Sequence, residues 1–192
     1  MFKYYEVTVQ GVTPLLTNRF RDEGEESANR PVFRGEEGTP REQAFDTLYF
    51  ANDNETPIIP GGNLFSSFME AGKYMKSGRN KLTTTKSSMI PAFLHLEEHY
   101  MPITHKDEWD VFSTPVRIPA TGGRIMRHRA MFNDWELSFS LTLDTEIITP
   151  KMLREIVDIA GKRIGLGDFR PQTKGQFGRF VVTDWKELKK AS

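Results

Sequence analysis

The strongest constraint on the fold is a stretch, residues 135–143, in which apolar side chains occupy every second position. Its apolar members are Trp135, Leu137, Phe139, Leu141 and Leu143. Because successive side chains of a β-strand point to opposite faces, this pattern predicts a strand with one buried and one solvated face. Residues 124–132 also alternate, and Asn133-Asp134 suits a tight turn. We therefore predict a β-hairpin over residues 124–143.

The remaining elements are predicted from their own local patterns. Residues 3–10 alternate and are rich in β-formers, which indicates a first strand. Residues 64–75 have helical spacing, with Asn63 as the expected N-cap. A second helix is predicted from Thr149 to Gly165, and a last strand over residues 178–183, followed by a tail or a turn of helix.

Taken in order, these elements predict an α+β fold with a ferredoxin-like, RRM-like βαββαβ core. We expect one domain over residues 1–192, with an acidic excursion at 19–57 after the first strand. A second insertion, at 77–123 after the first helix, is expected to hold short strands.

No stretch approaches the about 18 to 20 apolar residues that cross a bilayer, so we predict no membrane partner and a cytoplasmic protein. The chain has no cysteine, and no cofactor motif is found.

Charge is distributed unevenly, although the chain holds 26 basic and 26 acidic residues. Residues 1–60 hold 6 Lys and Arg against 11 Asp and Glu, whereas residues 61–192 hold 20 against 15. Residues 73–86, which include Lys81, contain five cations and no acid. Such a cluster is typical of an anion-binding surface, and equally of a solvated face.

The segment GLGDFRPQTKGQFGRF, residues 165–180, is named the glycine loop here. It combines glycines with cations and aromatic rings just before a strand. Gly175 and Gly178 are expected to let a ligand approach the main chain, whose amides could cradle phosphates. The expected phosphate contacts are Arg170, Lys174 and Arg179, and the expected base-stacking rings are Phe169 and Phe177. The alternative is structural: the glycines break the helix, and Phe177 and Phe180 fill the core.

A second basic cluster lies at Arg124, Arg127, His128 and Arg129. Arg127 and Arg129 share one face of a strand, and we predict that they hold phosphates beside the glycine loop. A ladder of salt bridges is the alternative. A dinucleotide site is not favoured, because GLGDFR follows a helix instead of opening one.

Histidines are the remaining candidates for chemistry. His105 and His128 are weak candidates for a general acid or base in metal-independent RNA cleavage. His95 and His99 stand four apart, as in a helical metal pair, but no third ligand is evident, so we predict no metal site.

Three segments carry a resemblance to a known family: VTPLL at 12–16, IPGGNL at 59–64, and the glycine loop. Together they resemble the RAMP superfamily of CRISPR-associated proteins, whose RRM-like domains carry a glycine-rich loop near the C-terminal end. The run from residue 124 through the glycine loop is also similar to a group of bacteriophage proteins. The RAMP resemblance implies binding of single-stranded RNA, often by adjacent subunits, with some relatives cleaving RNA through a histidine.

The function predicted from the sequence is therefore non-enzymatic binding of single-stranded RNA or DNA. The expected working form is a homo-oligomer or a larger ribonucleoprotein in the host bacterial cytoplasm. Two alternatives stay open. One is a metal-independent endoribonuclease of the RAMP type. The other is a protein-interaction module whose acidic excursion mimics nucleic acid or docks a basic partner, interfering with a host complex.

Overall fold

The structure is a computed structural model that describes residues 1–19, 38–53, 55–117 and 121–189. Structural statements below concern these residues. About half of the predicted acidic excursion, namely residues 20–37 and 54, lies outside them, as do residues 118–120 and 190–192. The hypothesis that the excursion docks a protein partner therefore rests largely on residues outside the described part.

The fold is a mixed α/β arrangement of antiparallel sheets with few helices. The strands within the described ranges are β1 (Phe2–Gly11), β2 (Leu15–Leu16), β3 (Tyr49–Phe50), β4 (Pro57–Pro60), β5 (Lys76–Ser77), β6 (Asn80–Lys81), β7 (Leu94–Leu96), β8 (Tyr100–Pro102), β9 (Asp110–Arg117), β10 (Arg124–Phe132), β11 (Glu136–Asp144) and β12 (Phe180–Leu188). The helices are α1 (Pro40–Phe45), α2 (Gly61–Ala71), α3 (Ile90–Phe93) and α4 (Pro150–Ile159).

A four-stranded sheet with the order β12-β1-β11-β7 forms the centre of the molecule, and every neighbouring pair is antiparallel. Val7 of β1 lies opposite Phe139 of β11, and both side chains are buried. Full burial of such a side chain contributes about 1.5–3 kcal/mol to folding. The strands predicted at 3–10 and 135–143 are therefore confirmed as central strands of one sheet.

Helices α2 and α4 share the core with this sheet. The ring centroid of Phe68 in α2 lies 6.1 Å from that of Phe139. Three smaller sheets have the orders β2-β10-β9, β3-β4-β8 and β5-β6, and Leu15, Ile59 and Phe132 from the first two belong to the same core. No helix in the described ranges is long and apolar enough to cross a lipid bilayer.

The ends of α4 are those that the sequence predicts. The hydroxyl oxygen of Thr149 accepts a hydrogen bond from the amide of Met152, and Pro150 takes the first helical position. A π-helical turn, Ala160–Ile164, continues the helix until Gly165, where φ is +78°. Glycine adopts such a positive φ without steric cost, so Gly165 ends the helix as expected.

The predicted N-cap of α2 is wrong by three residues. The helix begins at Gly61 with Pro60 as its N-cap, and Asn63 lies inside the first turn. The reason is tertiary: β4 continues to Pro60, and the amide of Gly61 donates to the carbonyl oxygen of His99 at 2.7 Å.

The predicted hairpin over residues 124–143 is also wrong. β10 pairs with β2 and β9, whereas β11 pairs with β1 and β7. The break lies at Trp135, which is fully buried and donates from Nε1 to the carbonyl oxygen of Thr13. The chain passes from one sheet into the other at this buried ring. β10 and β11 are therefore not neighbours, although both alternate and only a short turn joins them.

The last strand is longer than the sequence predicts. β12 runs through residues 184–188, for which a tail or a turn of helix is predicted. Lys186 and Trp185 lie opposite Glu6 and Val7 of β1, and the Trp185 ring packs 5.2 Å from that of Tyr5. Pairing along β1 therefore overrides the weak helical preference of this segment.

Because the chain has no cysteine, a pair of introduced cysteines can report which strands are neighbours. His95 of β7 and Thr142 of β11 lie directly opposite each other. Their Cα atoms are then about 4.5–5.5 Å apart, which a disulfide can bridge. We expect the variant His95→Cys with Thr142→Cys to form this disulfide on air oxidation, measured by intact-protein mass spectrometry.

The matched control is Ile125→Cys with Thr142→Cys, because a 124–143 hairpin would place these two positions opposite each other. We expect the control to keep its free thiols. A disulfide in the control but not in the first variant would contradict the sheet order described above.

Candidate nucleic-acid interface

The glycine loop is fastened to the segment that follows β1. The amide of Gly178 donates to the carbonyl oxygen of Pro14 at 2.7 Å, and the amide of Asp168 donates to that of Leu16 at 2.8 Å. Within the loop, the amide of Leu166 donates to the carbonyl oxygen of Gly178 at 2.9 Å. These amides are used inside the protein, so the prediction that loop amides cradle phosphates does not hold for them.

The glycines of the loop let its own backbone segments pack against each other. A Cβ atom on Gly175 would lie 1.6 Å from the carbonyl oxygen of Phe169, and one on Gly178 would lie 1.9 Å from that of Leu166. Gly178 also has φ of +68°. In this structure, the close approach that these glycines permit is made by the protein itself.

Three phenylalanine rings meet where the loop contacts β9. The ring of Phe112 in β9 lies 5.0 Å from that of Phe177 and 6.4 Å from that of Phe169, both in edge-to-face geometry. The rings border an open groove of about 320 Å³, named the phenylalanine groove here. Its lining residues are Phe112, Thr114, Phe169, Lys174, Gly175, Gln176 and Phe177.

Lys174 is the cation that lies at this groove. It is exposed and has φ of +65°, at the end of a short 3₁₀ turn, Pro171–Thr173. The exposed ammonium group can reach an anion beside the rings without being desolvated. The structure thus brings Lys174, Gly175, Phe169 and Phe177 together, as the sequence predicts.

Arg129 is placed differently from its prediction. Its residue surface is only 8% exposed, and Nε is paired with the carboxylate of Asp168. The guanidinium carbon lies 4.8 Å from the centroid of the Phe169 ring. A phosphate contact does not fit this burial, so the prediction for Arg129 is corrected: its contacts hold Asp168 and Phe169 in place.

The other predicted arginines do not line the groove and lie at different positions. Arg127 is half-buried on the same face of β10 as Arg129 and lies opposite Thr114. Arg170 donates to the carbonyl oxygen of Gly167 at 2.9 Å. Arg179 is exposed, and its Nη1 donates to the carbonyl oxygen of Lys162 at 3.2 Å.

Arg170 borders a second, more polar cavity of about 290 Å³ between the glycine loop and the start of α2. Asn18, Asn63 and Ser66 also line this cavity. Lys81 is exposed on the separate β5-β6 hairpin. The predicted binding residues therefore do not form one cluster.

The histidines are not placed beside the loop cations. His128 alternates with Arg127 and Arg129 along β10, so it points to the opposite face, where Nδ1 lies 2.7 Å from the hydroxyl oxygen of Ser113. The ring of His105 packs 5.2 Å from that of Phe132. His95 lies in β7, so it forms no helical pair with His99.

Phe112 is the ring that reasoning from the sequence misses. It lies in a stretch that we interpret only as short strands of an insertion, and its partner Phe177 is 65 positions away in the chain. The alternation of Phe112, Thr114 and Val116 is a local signal for a strand face. No local signal pairs that face with the glycine loop.

Comparisons with known proteins give a fold relationship. No family model matches the chain, and no curated protein sequence matches it. The structure is similar to a chain in the cryo-EM structure of the Type III-B Cmr-beta bound to cognate target RNA, with a TM-score of 0.62 and 12% identity. This similarity covers 99% of the present chain and 62% of that chain.

A second similar structure is Cmr6 from Pyrococcus furiosus, with a TM-score of 0.46 and 11% identity over 94% of the present chain and 98% of that chain. The likeness to the Cmr-beta chain is a likeness of fold, and the RAMP resemblance stays a prediction. The resemblance to bacteriophage proteins stays a prediction.

The packing of the glycine loop predicts the effect of adding one methyl group. We expect Gly178→Ala to lower the free energy of unfolding by at least about 2 kcal/mol, because it adds positive-φ strain to a clash with the Leu166 carbonyl group. Denaturant unfolding followed by circular dichroism measures the change. Gly62→Ala is the control, since a Cβ atom there meets nothing within 4 Å. A Gly178→Ala protein as stable as this control would contradict the loop packing.

Proposed function

We propose that the protein is a non-enzymatic single-stranded nucleic-acid-binding protein that takes RNA or single-stranded DNA. The observation that carries this proposal is the phenylalanine groove, with three rings and an exposed lysine around one open space. Rings of this kind stack on bases of any sequence, and a cation beside them neutralises the backbone. We assign base stacking to Phe112, Phe169 and Phe177, and phosphate contact to Lys174.

The fold supports this proposal. We interpret the main sheet as a ferredoxin-like, RRM-like core, because β1, α2, β7, β11, α4 and β12 follow each other as strand, helix, strand, strand, helix, strand. We assign residues 1–192 to one domain, with β9 and β10 as additions that carry part of the site. Phe180 is 1% exposed and fills the core, so it is not available as a stacking ring.

Assembly is part of the proposal. The structural neighbour with the higher TM-score comes from a complex bound to cognate target RNA, which favours a ribonucleoprotein or a homo-oligomer as the working form of this chain. The sequence resemblance to bacteriophage proteins adds a phage origin and action in the host cytoplasm. Arg127, Arg170 and Arg179 then contact phosphates outside the groove.

Phe112 provides the most direct test. Phe112→Leu keeps an apolar side chain but removes the ring face, and base stacking on a ring is worth about 1–3 kcal/mol. We therefore expect binding about tenfold weaker, measured by fluorescence anisotropy with labelled oligouridylate and oligothymidylate. Phe112→Trp keeps a ring face and should bind within about twofold of the unaltered protein.

Phe2→Leu, at the exposed end of β1, is the matched control and should bind normally. Unchanged affinity in Phe112→Leu would remove the groove from the proposal. Failure of the unaltered protein to bind either oligonucleotide at low salt would remove nucleic-acid binding itself.

Lys174 predicts a specific salt dependence. Each phosphate neutralised on a single strand adds about 0.7 to the magnitude of the slope of log affinity against log salt concentration. We expect Lys174→Ala to reduce this slope by about that amount. Lys151→Ala, which removes an exposed lysine from α4, should leave the slope unchanged. A Lys174→Ala slope equal to that of the unaltered protein would show that this lysine contacts no phosphate.

A further inference from the structure

The β5-β6 hairpin carries an arrangement of charges that works against its own stability. Lys76 and Lys81 lie directly opposite each other across the two strands, and both are exposed. Like charges in this position repel, and an isolated two-stranded ladder is only marginally stable in water. Arg79, at the turn, is exposed as well. Within the described ranges, none of these three cations has a carboxylate partner.

The hairpin is nevertheless held firmly at its base. Leu82 is 1% exposed, and its amide donates to the carbonyl oxygen of Met75 at 3.0 Å. The hydroxyl groups of Thr83 and Ser88 lie 2.7 Å apart in a hydrogen bond. The protein therefore fixes the position of three mutually repelling cations, which favours a polyanionic ligand as their partner.

Side-chain contacts connect this hairpin to the glycine loop through other exposed cations. Arg179 donates to the carbonyl oxygen of Lys162, and the guanidinium carbon of Arg163 lies 5.1 Å from the centroid of the Tyr74 ring. Tyr74 is 55% exposed and precedes Lys76 by two residues. This surface is named the basic track here. Its members are Arg179, Lys162, Arg163, Tyr74, Lys76, Arg79 and Lys81.

Three carboxylates, in α2, α4 and the glycine loop, are paired with cations that are not members of the track. Glu70 is paired with Lys73 at 2.6 Å, and Asp158 is paired with Arg154 at 3.2 Å. Asp168, at the start of the glycine loop, is paired with Arg129. These three carboxylates therefore do not compensate the cations of the track, and Arg179, two residues after Phe177 in the chain, joins the track to the glycine loop.

We propose that the basic track is a second contact segment of the nucleic-acid site, which holds the sugar-phosphate backbone of the strand after it leaves the phenylalanine groove. The inference rests on the proposed function and extends it. The lysines and arginines bind phosphates without reading sequence, and the exposed Tyr74 ring offers a face for one base. A short oligonucleotide fills the groove alone, whereas a longer one reaches the hairpin.

The test is the length dependence of binding in the variant Lys76→Ala, Arg79→Ala, Lys81→Ala. Labelled oligouridylates and oligothymidylates of about 6 and about 24 nucleotides are titrated at low salt by fluorescence anisotropy. These two lengths lie near the lower end and above the upper end of the about 4–16 nucleotides that one OB-fold single-strand site spans. We expect the affinity for the long strand to fall at least tenfold and that for the short strand to stay within twofold. The salt slope for the long strand should drop by about 2.

The matched control removes three exposed lysines elsewhere, with Lys106→Ala, Lys151→Ala and Lys186→Ala, and so makes the same change in net charge. It should bind both lengths normally. The inference would be overturned if the hairpin variant bound the long strand as tightly as the unaltered protein does. The groove would then stay part of the proposed function, and an acidic protein would be the better partner for the hairpin. Equal losses on both lengths would also overturn the inference, since the hairpin would then belong to the groove. No binding of either strand by the unaltered protein would overturn the proposed function together with the inference.

Discussion

The backbone of residues 14–16 is the junction on which the site depends. On one side, Leu15 and Leu16 pair with Phe132 and Met131 of β10. On the other, the carbonyl oxygens of Pro14 and Leu16 accept hydrogen bonds from amides of the glycine loop. One short segment therefore holds β10, with its neighbour β9, against the loop. This is why Phe112, far away in the sequence, meets Phe169 and Phe177, and why the glycine positions tolerate no side chain.

Local signals in the sequence predict the local structure well. The Thr149 cap, Pro150 and Gly165 define α4 because each acts within one helical turn. Alternation predicts that β10 and β11 are strands, but it carries no information about which strands they join. The buried Trp135 ring decides that question through its contact with Thr13, a residue more than a hundred positions away. The same limit explains why the sequence reveals the loop half of the groove and not Phe112.

The sequence shows where basic residues cluster, but only the fold shows which of their charges are exposed. Arg129 and Lys81 are both cations in basic clusters of the sequence, yet one is buried against Asp168 and the other is exposed opposite Lys76. A residue's value for binding a phosphate depends on whether its charge is already compensated, and only the fold determines that. The zero net charge of the chain conceals this difference, because it counts paired and unpaired charges alike.

The groove also concentrates features that cost stability. Phe169 has φ of +46°, a conformation that a residue with a bulky side chain rarely adopts, and such strain costs about 1–3 kcal/mol. Directly beneath its ring, Nη1 of Arg129 is buried and lacks a hydrogen-bond partner within the described ranges, which costs about as much again. Both features lie together at the edge of the phenylalanine groove, because the buried guanidinium group of Arg129 packs against the Phe169 ring that lines it.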